Sequence, residues 1–117
     1  MNTPIIIENL EIFPKDFGLI NWEQANHNAK TLGQGWRIPT LKEMTDILYP
    51  NREELSSIWE SVSICWTADP AYYVGHYRTF SLSDGKRNDF HFTTLVNAIL
   101  VRDFNGETAI SYLLKEF

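Results

Sequence analysis

Apolar and polar positions divide this chain into a helical first half and a strand-rich second half. Ile5 to Phe13 holds two short apolar runs split by Glu8-Asn9, and a first strand is expected within it. Pro14 and Asp16 to Gly18 make a turn. Trp22, Ala25, Ala29 and Leu32 then recur at i, i+3, i+7 and i+10, one face of a helix. Asn21 caps that helix with Gln24 three residues on, and Gly33 stops it. Trp36-Arg37-Ile38 reads as a short strand stopped by Pro39, which has no N–H to donate to a ladder. Thr40 and Glu43 form a second capping box, and Leu41, Met44 and Leu48 place a helix over about Leu41 to Tyr49, ended by Pro50. Another helical turn or two fits Arg52 to Ser57.

From Ile64 the pattern turns to strands. Ile64 to Thr67 is one, and Tyr72 to Leu82 another, with Gly75 marking a bulge. Ser83-Asp84-Gly85-Lys86 closes a hairpin and Arg87 to Phe92 returns. Val96 to Phe104 is apolar enough for a central strand buried on both faces. Asn105-Gly106 is a further turn. In the tail, Ile110, Leu113, Leu114 and Phe117 repeat at helical spacing, although the segment also suits a sheet edge. The tail is expected to be ordered, docked on its own domain or in a dimer interface.

The order of these pieces carries a resemblance. Trp22-Glu23-Gln24-Ala25, Leu32-Gly33, Gly35-Trp36-Arg37-Ile38-Pro39-Thr40 and Glu43-Met44 resemble the opening of bacterial domains of the DUF1566 type, whose pattern runs W-x-x-A, L-G, G-W-R-[LI]-P-T, E-[LM]. Cys65-Trp66-Thr67, Ser83-Asp84-Gly85 and Val101-Arg102-Asp103-Phe104 are similar to the family's later Y-W-S, s-n-G and V-R-x-F pieces. The similarity spans about residues 10–104 and leaves 105–117 as a C-terminal extension. It implies a single α+β domain over 1–117 with a C-type-lectin-like fold: two helices packed on a twisted, mostly antiparallel sheet with long loops. It implies no activity, because the family has none generally established. Where the family often has a further arginine, this chain has Ile99, so no anion site carries over.

Composition narrows the function classes. A chain of 117 residues fits one domain. The net charge of −5, with scattered basic residues, argues against a nucleic-acid binder that works by phosphate neutralisation. Ile5-Ile6-Ile7 is too short for a membrane span or a signal peptide. The chain as given reads as cytoplasmic, or as surface or periplasmic if a signal has been removed. One cysteine excludes an intrachain disulfide and the dithiol chemistry of the related formylglycine-generating enzymes. Cys65 lies in the apolar run Ile-Cys-Trp and reads as a core residue. His27, His76 and His91 have no zinc spacing, although His76 and His91 can approach across the hairpin. The calcium motifs of sugar-binding lectins, E-P-N and W-N-D, are absent. Neither a metal, a cofactor nor a catalytic residue is therefore assigned.

Two groups of residues stand out. The corner Trp36, Arg37, Pro39, Thr40 and Glu43, together with Arg102, is structural: each arginine is flanked by apolar residues and needs carboxylate or carbonyl partners if buried. Arg37 is expected to be largely buried, with Glu43 as its partner, so that its loss costs several kcal/mol, on the order of two to five. The aromatic and polar group Tyr73, Tyr77, Arg78, Arg87 and His91, with Tyr72 and His76 nearby, is the candidate ligand surface. Flat rings with hydrogen-bonding tips suit sugars and peptides. The expected role is a calcium-independent, non-catalytic module for a protein or carbohydrate ligand, as monomer or homodimer. The alternatives are an enzyme using the loop face from Tyr73 to His91, or a structural subunit of a larger assembly.

Overall fold

The computed structural model describes residues 5–56 and 64–104. The expected turn at Asn105-Gly106 and the apolar tail lie outside them. Strands β1 (Ile5–Ile7) and β2 (Leu10–Ile12) form a tight hairpin around Glu8, which adopts φ 54°. The apolar stretch expected to hold a first strand thus holds two. Next come β3 (Leu19–Ile20), helix α1 (Trp22–Leu32), helix α2 (Leu41–Glu43), which continues as a wide π turn over Met44–Leu48, and α3 (Arg52–Leu55). Strands β4 (Ile64–Pro70), β5 (His76–Ser81), β6 (Arg87–His91), β7 (Val96–Asn97) and β8 (Val101–Asp103) complete the described residues. This is an α+β chain with mostly antiparallel pairing. No helix among the described residues is long and apolar enough to cross a membrane.

The expected single sheet is two. The smaller has the order β1-β2-β8, the larger β3-β7-β4-β5-β6. Val96 to Phe104 was expected to form one central strand. It is instead divided between the sheets as β7 and β8, and Ala98 to Leu100 carries the chain across. Its burial on both faces holds all the same. Ile99 and Val101 enter one core with Met44, Leu48, Leu55, Cys65 and Phe80, while Ala98 and Leu100 enter another with Ala25, Ala29, Ile38 and Trp66. The same alternation runs along β4, where Cys65 faces the first core and Trp66 the second, as the period of two requires. The larger sheet therefore has α1 on one face and α2 on the other.

Both helix starts follow their local sequence. The Gln24 N–H donates to Asn21 Oδ1 at 2.9 Å, and the Asn21 N–H to Gln24 Oε1 at 3.4 Å. At the other end the Gly33 N–H bonds the carbonyls of Ala29 and Lys30. Two indole bonds tie α1 and β3 to β4: Trp22 Nε1 of α1 donates to the Thr67 carbonyl at 3.0 Å, and Trp66 Nε1 of β4 to the Ile20 carbonyl of β3 at 2.9 Å.

The small sheet contains a buried ion pair. Glu11 of β2 stands opposite Arg102 of β8, and both are almost fully buried. Arg102 Nε donates to Glu11 Oε1 at 2.8 Å, its Nη1 reaches Gln34, and its guanidinium lies 4.6 Å from the centre of the Trp36 ring. Replacing Glu11 by alanine strands a buried guanidinium and is expected to cost about 3–5 kcal/mol in urea unfolding. The double replacement Glu11→Leu with Arg102→Met removes both charges and should recover most of that loss. Equal destabilisation in the single and the double variant would show that packing, not charge, matters there.

Candidate functional site

The corner forms as its residues suggest, with one change of geometry. Trp36-Arg37-Ile38 makes a single bridge rather than a strand: the Arg37 N–H donates to the Val101 carbonyl at 2.8 Å and the Val101 N–H returns to Arg37 at 2.9 Å. Pro39 is buried and its carbonyl accepts from the Ala68 N–H of β4. Thr40 and Glu43 close the expected capping box, with the Glu43 N–H on Thr40 Oγ1 at 3.1 Å and the Thr40 N–H on Glu43 Oε1 at 2.9 Å. The same Glu43 carboxylate takes both ends of Arg37 at 2.7 Å, a bidentate pair, and Arg37 Nη2 also donates to Asp103 at 2.8 Å. One side chain thus caps α2 and anchors the strand that enters it. Arg37 is not largely buried, as expected from its apolar neighbours, because 34% of its side chain remains in water. Its guanidinium sits at the rim, where its second partner Asp103 is exposed. With Arg37 bonded to Glu43 and Asp103 and Arg102 to Glu11 and Gln34, the corner reads as architecture.

The residues predicted for the ligand surface separate by strand register. His76 pairs with His91, Arg78 with Asp89 and Phe80 with Arg87, so these side chains share the α2 side of the β5–β6 ladder. Arg87 extends toward α2 and reaches Thr45 Oγ1 at 3.5 Å. Tyr77 pairs with Phe90 and belongs to the opposite face, where its ring stacks on Trp22 with centroids 3.8 Å apart and planes at 8°. Tyr77 is thereby a packing residue of the second core and leaves the candidate site. The expected strand from Tyr72 begins only at His76. Ala71 to Gly75 is a turn, in which Gly75 at φ 80° sets the tip instead of a bulge.

That turn lifts three side chains into water. Tyr72 is 88% exposed, Tyr73 64% and Val74 99%. The two tyrosine rings meet at 89° with centroids 5.4 Å apart, and Tyr73 continues edge-on to His76. His76 in turn meets His91 at 5.4 Å. Tyr73, Arg78, Arg87 and His91 are therefore held on one side of the hairpin, joined by Tyr72 and His76. The opposite hairpin end is fixed by Gly85 at φ 75°, where a Cβ would approach the Tyr49 ring to 3.1 Å.

No family model matches the chain, and no curated protein matches it. Function must then be argued from chemistry alone. Cys65 is fully buried in the first core, and burial, with the charge of Asp16 adding to it, pushes its thiol far above the ordinary range. It packs and does not attack. Among the described residues no three His, Cys, Asp or Glu side chains gather as a metal cluster. A groove of about 460 Å³ runs along the polar side of α1 past Asn21, Gln24 and His27, and no predicted ligand residue lines it.

Burial by itself would raise the Glu43 carboxyl, but the bonds from Arg37 and Thr40 outweigh it and hold the group below the usual range. A depressed carboxyl contributes stability that is complete above the unfolded value, about 4.3, and is lost as pH falls through the folded one. Stability should therefore decline on acidification below about pH 4.5, and Arg37→Ala should flatten that decline. At neutral pH the same variant is expected to cost about 1–3 kcal/mol, less than a fully buried pair, since solvent screens a rim-exposed guanidinium. Urea titrations from pH 3 to 7 measure both effects.

Proposed function

We propose that this chain is a non-catalytic binding module that takes a carbohydrate or protein ligand, without calcium, on the hairpin surface of Tyr72, Tyr73, His76, Arg78 and His91. The exposure of Tyr72 and Tyr73 carries the reading. Two large rings held at right angles in water, beside a fully exposed Val74, form a contiguous apolar patch of the kind that marks an interaction site. Tyrosines present a flat apolar face and a polar tip, the combination that stacks on a sugar ring or anchors a protein contact. Arg78, Arg87 and the two histidines supply directional polar groups on the same face.

The pairing of the β1–β2 hairpin with β8, the last described strand, agrees with the C-type-lectin-like fold that the resemblance to bacterial DUF1566-type domains implies. The burial of Cys65 speaks against a thiol nucleophile.

Screening the protein on a glycan array and a peptide array in calcium-free buffer tests the proposal. Tyr72→Ala and Tyr73→Ala are expected to keep the wild-type melting temperature and to weaken the captured ligand by about tenfold or more, equivalent to about 1.4 kcal/mol for each ring lost. Tyr77→Ala should behave oppositely and lower stability, because it unstacks Trp22. Binding that survives loss of both exposed tyrosines, or that follows Tyr77 alone, would refute the assignment.

A further inference from the structure

His76 and His91 stand directly opposite one another on β5 and β6. The Phe92 N–H donates to the Gly75 carbonyl at 2.8 Å, one residue beyond the pair. That bond makes His76–His91 a non-hydrogen-bonded pair, the kind in which cross-strand side chains lie closest. The ring planes cross at 79°. Each ring already has an oxygen at Nδ1: the Val74 carbonyl at 3.3 Å from His76, and Thr93 Oγ1 at 2.8 Å from His91. The Thr93 N–H also donates to His91 Nδ1 at 3.4 Å when that nitrogen carries the lone pair; in the other tautomer, with a proton on each Nδ1, the oxygens accept and the lone pair of each imidazole falls on Nε2. Metal-binding histidines use this arrangement, in which an outer oxygen fixes the nitrogen that does not ligate. Gly75 keeps the approach open, since a Cβ there would stand 3.2 Å from His91 Nε2.

We propose that His76 and His91 form a two-imidazole chelate for a divalent first-row transition ion of the Ni²⁺, Cu²⁺ and Zn²⁺ class, with water completing the coordination. Neutral imidazole suits these ions, whereas calcium and magnesium require oxygen donors. His91 is exposed and His76 half-buried, so the ion enters from solvent. The charged groups on this face are Asp89 and Arg78, paired across the strands next to the histidines, and Arg87 beyond them. The chelate shares His76 and His91 with the proposed ligand surface but needs neither Tyr72 nor Tyr73, so Tyr72→Ala and Tyr73→Ala, which leave ion binding intact, separate the two proposals.

Tag-free protein titrated with Zn²⁺ and with Ni²⁺ in a non-coordinating buffer, followed by calorimetry and by melting, tests the site. One ion per chain, and a melting temperature that rises with ion concentration, are expected for a group that binds only the folded state. His76→Gln and His91→Gln should each abolish the one-site isotherm, while His27→Gln leaves it intact. Thr93→Val should weaken binding by about tenfold, and Thr93→Ser should not. Acidification to pH 5 should release the ion, since protons compete for the same nitrogens. In the wild type, histidine NMR signals of residues 76 and 91, and not of 27, should shift on adding Zn²⁺. The absence of a one-site isotherm with both ions, or its survival in the His76→Gln/His91→Gln double variant, would overturn the proposal.

Discussion

A buried guanidinium must be neutralised where it lies, and Arg102 imposes that demand on three separate parts of the chain. Glu11 meets it from β2, Gln34 from the loop after α1, and Trp36 covers it from the corner. An unpaired charge there costs far more than a lost surface contact, so the three segments are held to one arrangement. The backbone repeats the constraint. Val101 pairs with Ile12 on one side and with Arg37 on the other. Strand β8 thus sits between the N-terminal hairpin and the corner, and the small sheet cannot close without both.

From this anchor the larger sheet takes its position. Leu100 and Val101 enter opposite cores, so the segment that crosses between sheets is also the wall between the two cores. The bond from Trp22 to Thr67 then holds α1 in contact with β4, that from Trp66 to Ile20 holds β3 there, and the Pro39 carbonyl joins the corner to the same strand. What projects beyond this frame is the β4–β5 turn, whose tip is carried clear of both cores. Rigidity behind the tip and exposure at it go together. The strand that carries His76 is covered on both faces farther along, at Thr79 and Phe80.

Features that close within a few residues were legible. Asn21 with Gln24, Thr40 with Glu43, and the Asp84-Gly85 turn each satisfy their backbone groups locally, so the letters alone specify them. Helix α2 was legible as a helix but not as a π turn, because apolar spacing over two turns does not separate the two forms. The Thr45 hydroxyl also bonds the Leu41 carbonyl at 2.9 Å, a back-bond of the kind that bends helices. What depended on pairing at long range was not legible. Glu11 looked like a polar break in an apolar run until Arg102 was placed opposite it. Tyr77 and Arg78 are neighbours in sequence and stand on opposite faces, a division that only the register with Phe90 and Asp89 decides. The signal for the histidine pair was present in its near-symmetry about the Asp84-Gly85 turn, and the geometry at Nδ1 was not.

The pairing of Glu11 with Arg102 also sets an order of events during synthesis. Among the described elements the β1–β2 hairpin is the earliest in the chain and its neighbour β8 the latest. Until β8 is made, Glu11 lacks the guanidinium that Arg102 supplies, and burying its carboxylate is costly. The β4–β5–β6 hairpins, whose contacts are local, are free to form in the meantime. Closing the small sheet spans most of the chain, a contact of long sequence separation and therefore a slow one. The β1–β2 hairpin is thus made well before the strand that encloses it.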